Sequence, residues 1–201
     1  MIAVSQQTRI IQIIASFFEA SLSHEAVPVA LLERQLKWGA AFRGLERGDV
    51  SFFEGISADE FLQKAYGFAE PLDYRGGDSC AYWIGESYAS LFFERSLSFS
   101  VLLALLPVSE MRRLFYPYHE MSFSSLREEL DRRLAETSLL EVAKKKSGLT
   151  YVQIAKDTGI PVPTLARYQK NDELWRISLV RAKRLSLVLH QPLEYFLPEC
   201  F

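Results

Sequence analysis

Apolar residues recur along this chain at the three- and four-residue spacing of an α-helix, and strand-like alternation of convincing length is absent. Between Ser5 and Leu22, Ile10, Ile13, Ile14, Phe17 and Phe18 share one stripe, which predicts a helix with a single face against a core. Pro28 is placed to open a second helix, with Val29, Leu32, Leu36 and Ala40 on one side. Gly44 and Gly48 predict a loosened stretch after it. Ser57-Ala-Asp-Glu60 has capping-box spacing and predicts a short helix that Gly67 ends. From Pro71 to Ser79 the chain reads as a turn: Gly76 and Gly77 permit positive φ, and Asp78 or Ser79 can cap a helix starting there. That helix carries Trp83, Ile84, Tyr88, Leu91 and Phe92. Another runs from about Leu97 to Leu106, and Pro107 opens one through Met111, Leu114 and Phe115. Tyr116 to Glu120 predicts a break, and Ser125-Leu-Arg-Glu128 a second capping box ahead of Leu130 and Leu134.

A third capping box, Ser138-Leu-Leu-Glu141, predicts a fresh start and places a domain boundary near Glu136. Five short helices are expected beyond it. The first stops at Ser147-Gly148, the second runs from a Thr150 cap to Gly159, and the third comes after the tight turn at Ile160-Pro161. An amphipathic helix from Ser178 to His190 carries Leu179, Ala182, Leu185 and Leu189, and Pro192 to Leu197 forms a last short one. The fold class expected is all-α, with residues 1–136 and 137–201 as two helical domains.

Charge changes sign at the same boundary. Residues 1–136 hold 13 Lys/Arg against 19 Asp/Glu, whereas residues 137–201 hold 10 against 6. The overall formal charge of −2 therefore conceals a basic tail, which is where a polyanion would bind; solvated surface is the plainer use of such a tail. With 49% hydrophobic residues the chain has ample apolar surface to fold. The uncharged run between Arg95 and Glu110 is too short to span a bilayer, and the opening Met1 to Arg9 lacks the pattern of an export signal. Cys80 and Cys200 lie far apart, and His24, His119 and His190 add no ligand spacing. The expectation is a cytoplasmic protein with no membrane segment, metal or cofactor.

The C-terminal pattern resembles the Cro and phage-repressor class of helix-turn-helix domains, the XRE family. The resemblance lies in Leu149-Thr150, Ile154-Ala155, Gly159-Ile160, Thr164-Leu165, Arg167-Tyr168 and the closing Leu185 to Leu197, over about 60 residues. It implies a five-helix, lambda-repressor-like domain in which an alanine at Ala155 lets two helices cross, Gly159 makes the turn and Leu165 anchors the second helix. It further implies that the second helix enters the major groove of double-stranded DNA. Thr150 and Tyr151 would then lie by one phosphate, and Lys170 and Asn171 by the next. Val162, Pro163, Thr164 and Arg167 would stand on the reading helix, with Val162, Pro163 and Arg167 toward base edges. Arg167 suits a bidentate contact to guanine, and Val162 and Pro163 offer apolar contacts alone, where the family's richer members carry polar readers. Gln169 stands where the family usually has glutamate, and His190 where it often has glycine.

Asp73 to Tyr88, with Leu114 to Met121, looks like a segment of uncharacterised bacterial proteins that pair it with a repressor-type helix-turn-helix, some beside small toxin-like genes. That resemblance implies an antitoxin-like or autoregulatory role and carries no chemistry. An enzyme is not expected. Cys80 with His119, oriented by Asp78 or Glu120, has no supporting spacing, and Cys80 reads more simply as a small buried residue. Gly76-Gly77 lacks the strand and lysine of a phosphate loop. Tyr82, Trp83, Tyr88, Phe92 and Phe93 would line a ligand pocket or, more simply, pack a core. His119 reads as a helix-end or core histidine. The function expected is a DNA-binding transcriptional regulator, a repressor acting as a homodimer with a toxin-like protein as a further partner of the N-terminal domain. The alternative is a protein-interaction adaptor whose helix-turn-helix no longer reads DNA.

Overall fold

A computed structural model describes residues 2–23, 27–67, 77–136, 138–169, 174 and 176–197, and among these all regular structure is helical, with no strand. Two long helices set the frame: α1 (Val4–Ser23) and α5 (Ser79–Arg95) lie against each other. Their contact is close because Gly85 carries no side chain. A Cβ there would stand 2.7 Å from the Phe18 Cβ, 2.8 Å from the Ala15 Cα and 2.9 Å from the Ile14 carbonyl oxygen. The stripe expected on α1 is the buried one, with Ile10, Ile13, Ile14, Phe17 and Phe18 all inside. On α5, Ile84, Tyr88 and Leu91 are buried, and the Tyr88 hydroxyl donates to the Leu106 carbonyl.

Around that pair pack α2 (Val29–Trp38), α3 (Ala40–Glu46), α4 (Ala58–Tyr66), α6 (Phe99–Leu105), α7 (Val108–Tyr118) and α8 (Phe123–Glu136). A run of rings joins them: Phe17 meets Phe42 and Phe61, and Phe42 meets Phe99 with centroids 5.0 Å apart. Aromatic contacts of this kind add to the apolar area that each ring buries. The capping box on α4 forms as expected: Ser57 Oγ accepts the Glu60 amide at 3.2 Å, and Glu60 accepts the Ser57 amide at 2.7 Å. Asp78 rather than Ser79 caps α5, accepting the Ala81 amide at 3.0 Å.

Four local expectations are corrected. Gly44 does not loosen the chain but lies inside α3, and its carbonyl accepts the Asp49 amide at 2.9 Å as the helix closes at Gly48. Helix α7 does not break at Tyr116 but runs through Pro117 to Tyr118. The proline falls in the last turn on an exposed face, where water can reach the Arg113 carbonyl that its missing amide leaves without a helix bond. Ser125 is inside α8, which has already begun at Phe123, so it caps nothing. Ser138 precedes α9 (Leu139–Ser147) without a side-chain capping bond, and the Glu141 side chain turns to Lys144 and Tyr151.

The remaining helices are α10 (Tyr151–Thr158), α11 (Val162–Gln169) and α12 (Leu179–Leu189), and a 3-10 turn covers Leu193–Phe196. The last of the five expected short helices is thus a 3-10 turn. These elements do not form a separate core. Helix α6, buried at nearly every position, packs on α2, α5 and α8 of the front half and also on α9 and Leu193–Phe196 of the back half. One hydrophobic cluster therefore runs from Ile10 to Phe196 across residue 137. Among the described residues no single helix is long and apolar enough to cross a membrane.

Candidate nucleic-acid interface

Helix α10 begins on a full capping box. Thr150 Oγ1 accepts the Gln153 amide at 3.3 Å, and Gln153 Oε1 accepts the Thr150 amide at 2.8 Å. The helix ends at Gly159, whose φ of +68° is the left-handed cap that glycine favours. Thr158 fixes the turn into α11: its hydroxyl donates to the Ile154 carbonyl at 2.6 Å and accepts the Ile160 amide at 3.2 Å. From α12, Arg184 donates to the Thr158 carbonyl at 3.1 Å, so the corner between α10 and α11 is held from both sides.

Pro161 then opens α11, its carbonyl accepting the Thr164 and Leu165 amides. Leu165 and Tyr168 are buried, and the Tyr168 hydroxyl accepts from Arg181 of α12 at 2.9 Å. Those anchors fix the rotation of α11 about its axis. Val162, Pro163 and Arg167 consequently stand exposed on the outward side, with Thr164 half-buried beside them. Pro163 and Arg167, four residues apart, share one face. Lys170 and Asn171 lie outside the described residues, so the second phosphate contact expected of them is not placed.

Thr150 and Tyr151 are brought to the start of α10, but both are already engaged. The Thr150 hydroxyl serves the cap. Tyr151 is half-buried, with its hydroxyl donating to Glu141 at 2.9 Å and the Lys144 ammonium 4.7 Å from its ring centre. Burial, and then the neighbouring Glu141 carboxylate, push that hydroxyl well above the usual phenol range. The Lys144 ammonium beside it holds Glu141 below the usual carboxylate range, with the Tyr151 hydroxyl adding to the effect. What this end of α10 offers an anion is thus its backbone amides and the exposed Lys145 nearby in sequence, rather than the tyrosine hydroxyl.

Sequence reasoning did not find Arg181 or Arg184, and it gave Glu141 a capping role in place of its bond to Tyr151. Each acts across a gap of ten or more residues, and no local spacing announces such a partner. His190 carried a signal: it ends α12 at φ +50°, the conformation for which the resembled family often uses glycine.

The other candidate chemistry disperses. Cys80 is half-buried, and burial followed by the Asp78 charge pushes its thiol up, which disfavours the thiolate. His119 is a helix-end residue, its Nδ1 2.9 Å from the Phe115 carbonyl and its ring 4.3 Å from the Phe115 ring. Tyr88 belongs to the core and Trp83 packs on Phe115, whereas Phe92 and Phe93 line a cleft of about 400 Å³ with Glu46 and Arg47. Gly77 donates its amide to Glu19, and Gly76 lies outside the described residues. Among the described residues no group of three His, Cys, Asp or Glu side chains is placed to hold a metal ion. No family model matches the chain, and neither a curated protein nor a solved structure matches it.

Proposed function

We propose that this chain is a DNA-binding transcriptional regulator in which residues 138–197 form a lambda-repressor-like helix-turn-helix unit and α11 enters the major groove. The observation that carries the reading is the outward set Val162, Pro163 and Arg167 on a short helix anchored from behind by Leu165 and Tyr168. A reading helix needs its base-facing residues exposed and its own orientation fixed, and α11 meets both requirements. Arg167 takes the base contact, a guanine edge, and Val162 and Pro163 take thymine methyl groups. The basic balance of residues 137–201 supplies the phosphate attraction. A cytoplasmic homodimer would let two such units read paired half-sites, and residues 1–136 would supply the dimer or toxin-like partner contact of an autoregulatory antitoxin.

A second reading has its own observation. Val162 is 39% exposed at a position where polar readers would serve DNA, which suits an adaptor that binds protein through the same face.

Selection from a random duplex pool, then fluorescence anisotropy at about 50 and 200 mM salt, separates the two. The regulator reading expects an enriched sequence bound in a salt-sensitive way, and Arg167→Ala to weaken that binding about tenfold or more. No enrichment, or equal affinity for scrambled duplex, sinks it in favour of the adaptor.

A further inference from the structure

The contact between the two halves of the chain contains more charge than a packed joint requires. Arg43 on α3 reaches Glu194 in the C-terminal 3-10 turn at 3.4 Å, across 151 residues of sequence. Glu194 is buried, and its Oε2 has no hydrogen-bond partner among the described residues. The same holds for Arg43 Nε and for Oε1 of Gln191 just before the turn. One turn along α3 from Arg43, Glu46 accepts the Phe99 amide at the start of α6 at 2.9 Å. Arg43 and Glu46 thus stand on α3 and Glu194 faces them from the C-terminal turn, so that two carboxyl groups share one arginine at the joint. Arg47 is the other cation facing Glu46, and it lies at the exposed end of α3. Across the adjoining cleft, α1 presents Gln7, and Phe92, Phe93 and Ser96 come from α5 and its end, all uncharged.

We propose that Arg43, Glu46 and Glu194 form a proton-operated joint, in which a protonated Glu46 lets Arg43 and Glu194 close as a neutral pair and an ionised Glu46 loosens the C-terminal segment from α3 and α6. Burial, with Glu194 adding to it, raises the Glu46 carboxyl to about 7, so the change falls near neutral pH. Below that value the joint holds one negative and one positive charge. Above it, two carboxylates compete for Arg43, and Glu194 is the one whose position depends on that arginine. Its neighbours Tyr195 and Phe196, both fully buried against α6 and α9, carry the effect into the C-terminal helices. The proposal is independent of whether α11 reads DNA.

Amide hydrogen exchange on the full chain at pH 5.5 and pH 8.5, with the intrinsic pH dependence of exchange divided out, tests it. Protection in 139–147 and 193–197 is expected to fall about tenfold at the higher pH, relative to amides of α1 and α5. Glu46→Gln, which keeps an acceptor for Phe99, is expected to abolish that difference. Equal protection at both pH values, or a difference that survives Glu46→Gln, overturns the proposal. Carboxyl NMR of the otherwise native chain provides a second arm. The Glu46 midpoint should lie near neutrality and fall when Glu194 is changed to Gln, and a midpoint unmoved by that change overturns it equally.

Discussion

The two halves of this molecule are held by different means. Residues up to Glu136 are built on rings and a tight helix crossing: Phe17, Phe18, Phe42, Phe53, Phe61 and Phe99 are all buried, and α1 and α5 meet where Gly85 leaves room. The segment after Ser138 is too small to bury that much. Its geometry depends on side chains that reach the backbone or another side chain: Arg184 to Thr158, Arg181 to Tyr168, Tyr151 to Glu141 and Tyr195 to Leu139. Apolar area is non-directional, whereas each of these bonds specifies an orientation. Directed bonds also hold the larger half, as from Tyr88 to the Leu106 carbonyl and from Arg133 to the Leu105 carbonyl, so the halves differ chiefly in their rings. In the smaller half such bonds aim an exposed set such as Val162, Pro163 and Arg167.

Changing Gly85 to Val should have the largest effect. The helix-propensity gain on removing a glycine, under about 1 kcal/mol, is outweighed by a side chain driven into the α1 backbone, and a loss of about 3 kcal/mol is expected in chemical denaturation. If stability is unchanged, the crossing is not the frame of the N-terminal half. Next comes Tyr195→Phe, which removes the hydroxyl that donates to the Leu139 carbonyl at 2.8 Å. A loss of about 1 kcal/mol is expected, read as faster amide exchange in α9 and 193–197 before any in α1. Simultaneous loosening of both halves would mean that the directed bonds of the smaller half do not act on it alone. His190→Gly has the smallest effect and the opposite sign. It relieves a left-handed non-glycine residue at an exposed helix end, and a gain of about 0.5–1 kcal/mol in melting experiments is expected. A loss instead would show that the imidazole makes a contact worth more than the strain.

How much of this was legible in the sequence depended on how local the cause is. The α1 stripe, the Ser57 box and the glycine caps at Gly67, Gly148 and Gly159 all arise from residues within four positions of one another, and all form as read. Ser125 and Ser138 have the same spacing and do not cap. One is overtaken by a helix that starts earlier; at the other, the Glu141 side chain turns to Lys144 and Tyr151. In the candidate interface, the placing of Thr150 at the start of α10 and of Val162, Pro163 and Arg167 on the next helix was expected from the sequence pattern. The residues that hold them in place were not, because Arg181 and Arg184 meet their partners only after α12 has folded back. The Glu46–Glu194 proximity is less legible still, since nothing in either local sequence refers to the other.

Helix α6 gives the chain an odd property for something read as two units joined end to end. Most of its surface is already used, in contacts with both the front half and the back half. A protease cut at residue 137 would therefore leave two fragments sharing an inner wall. They would behave as a split protein that reassembles without its peptide bond, rather than as two beads released from a string.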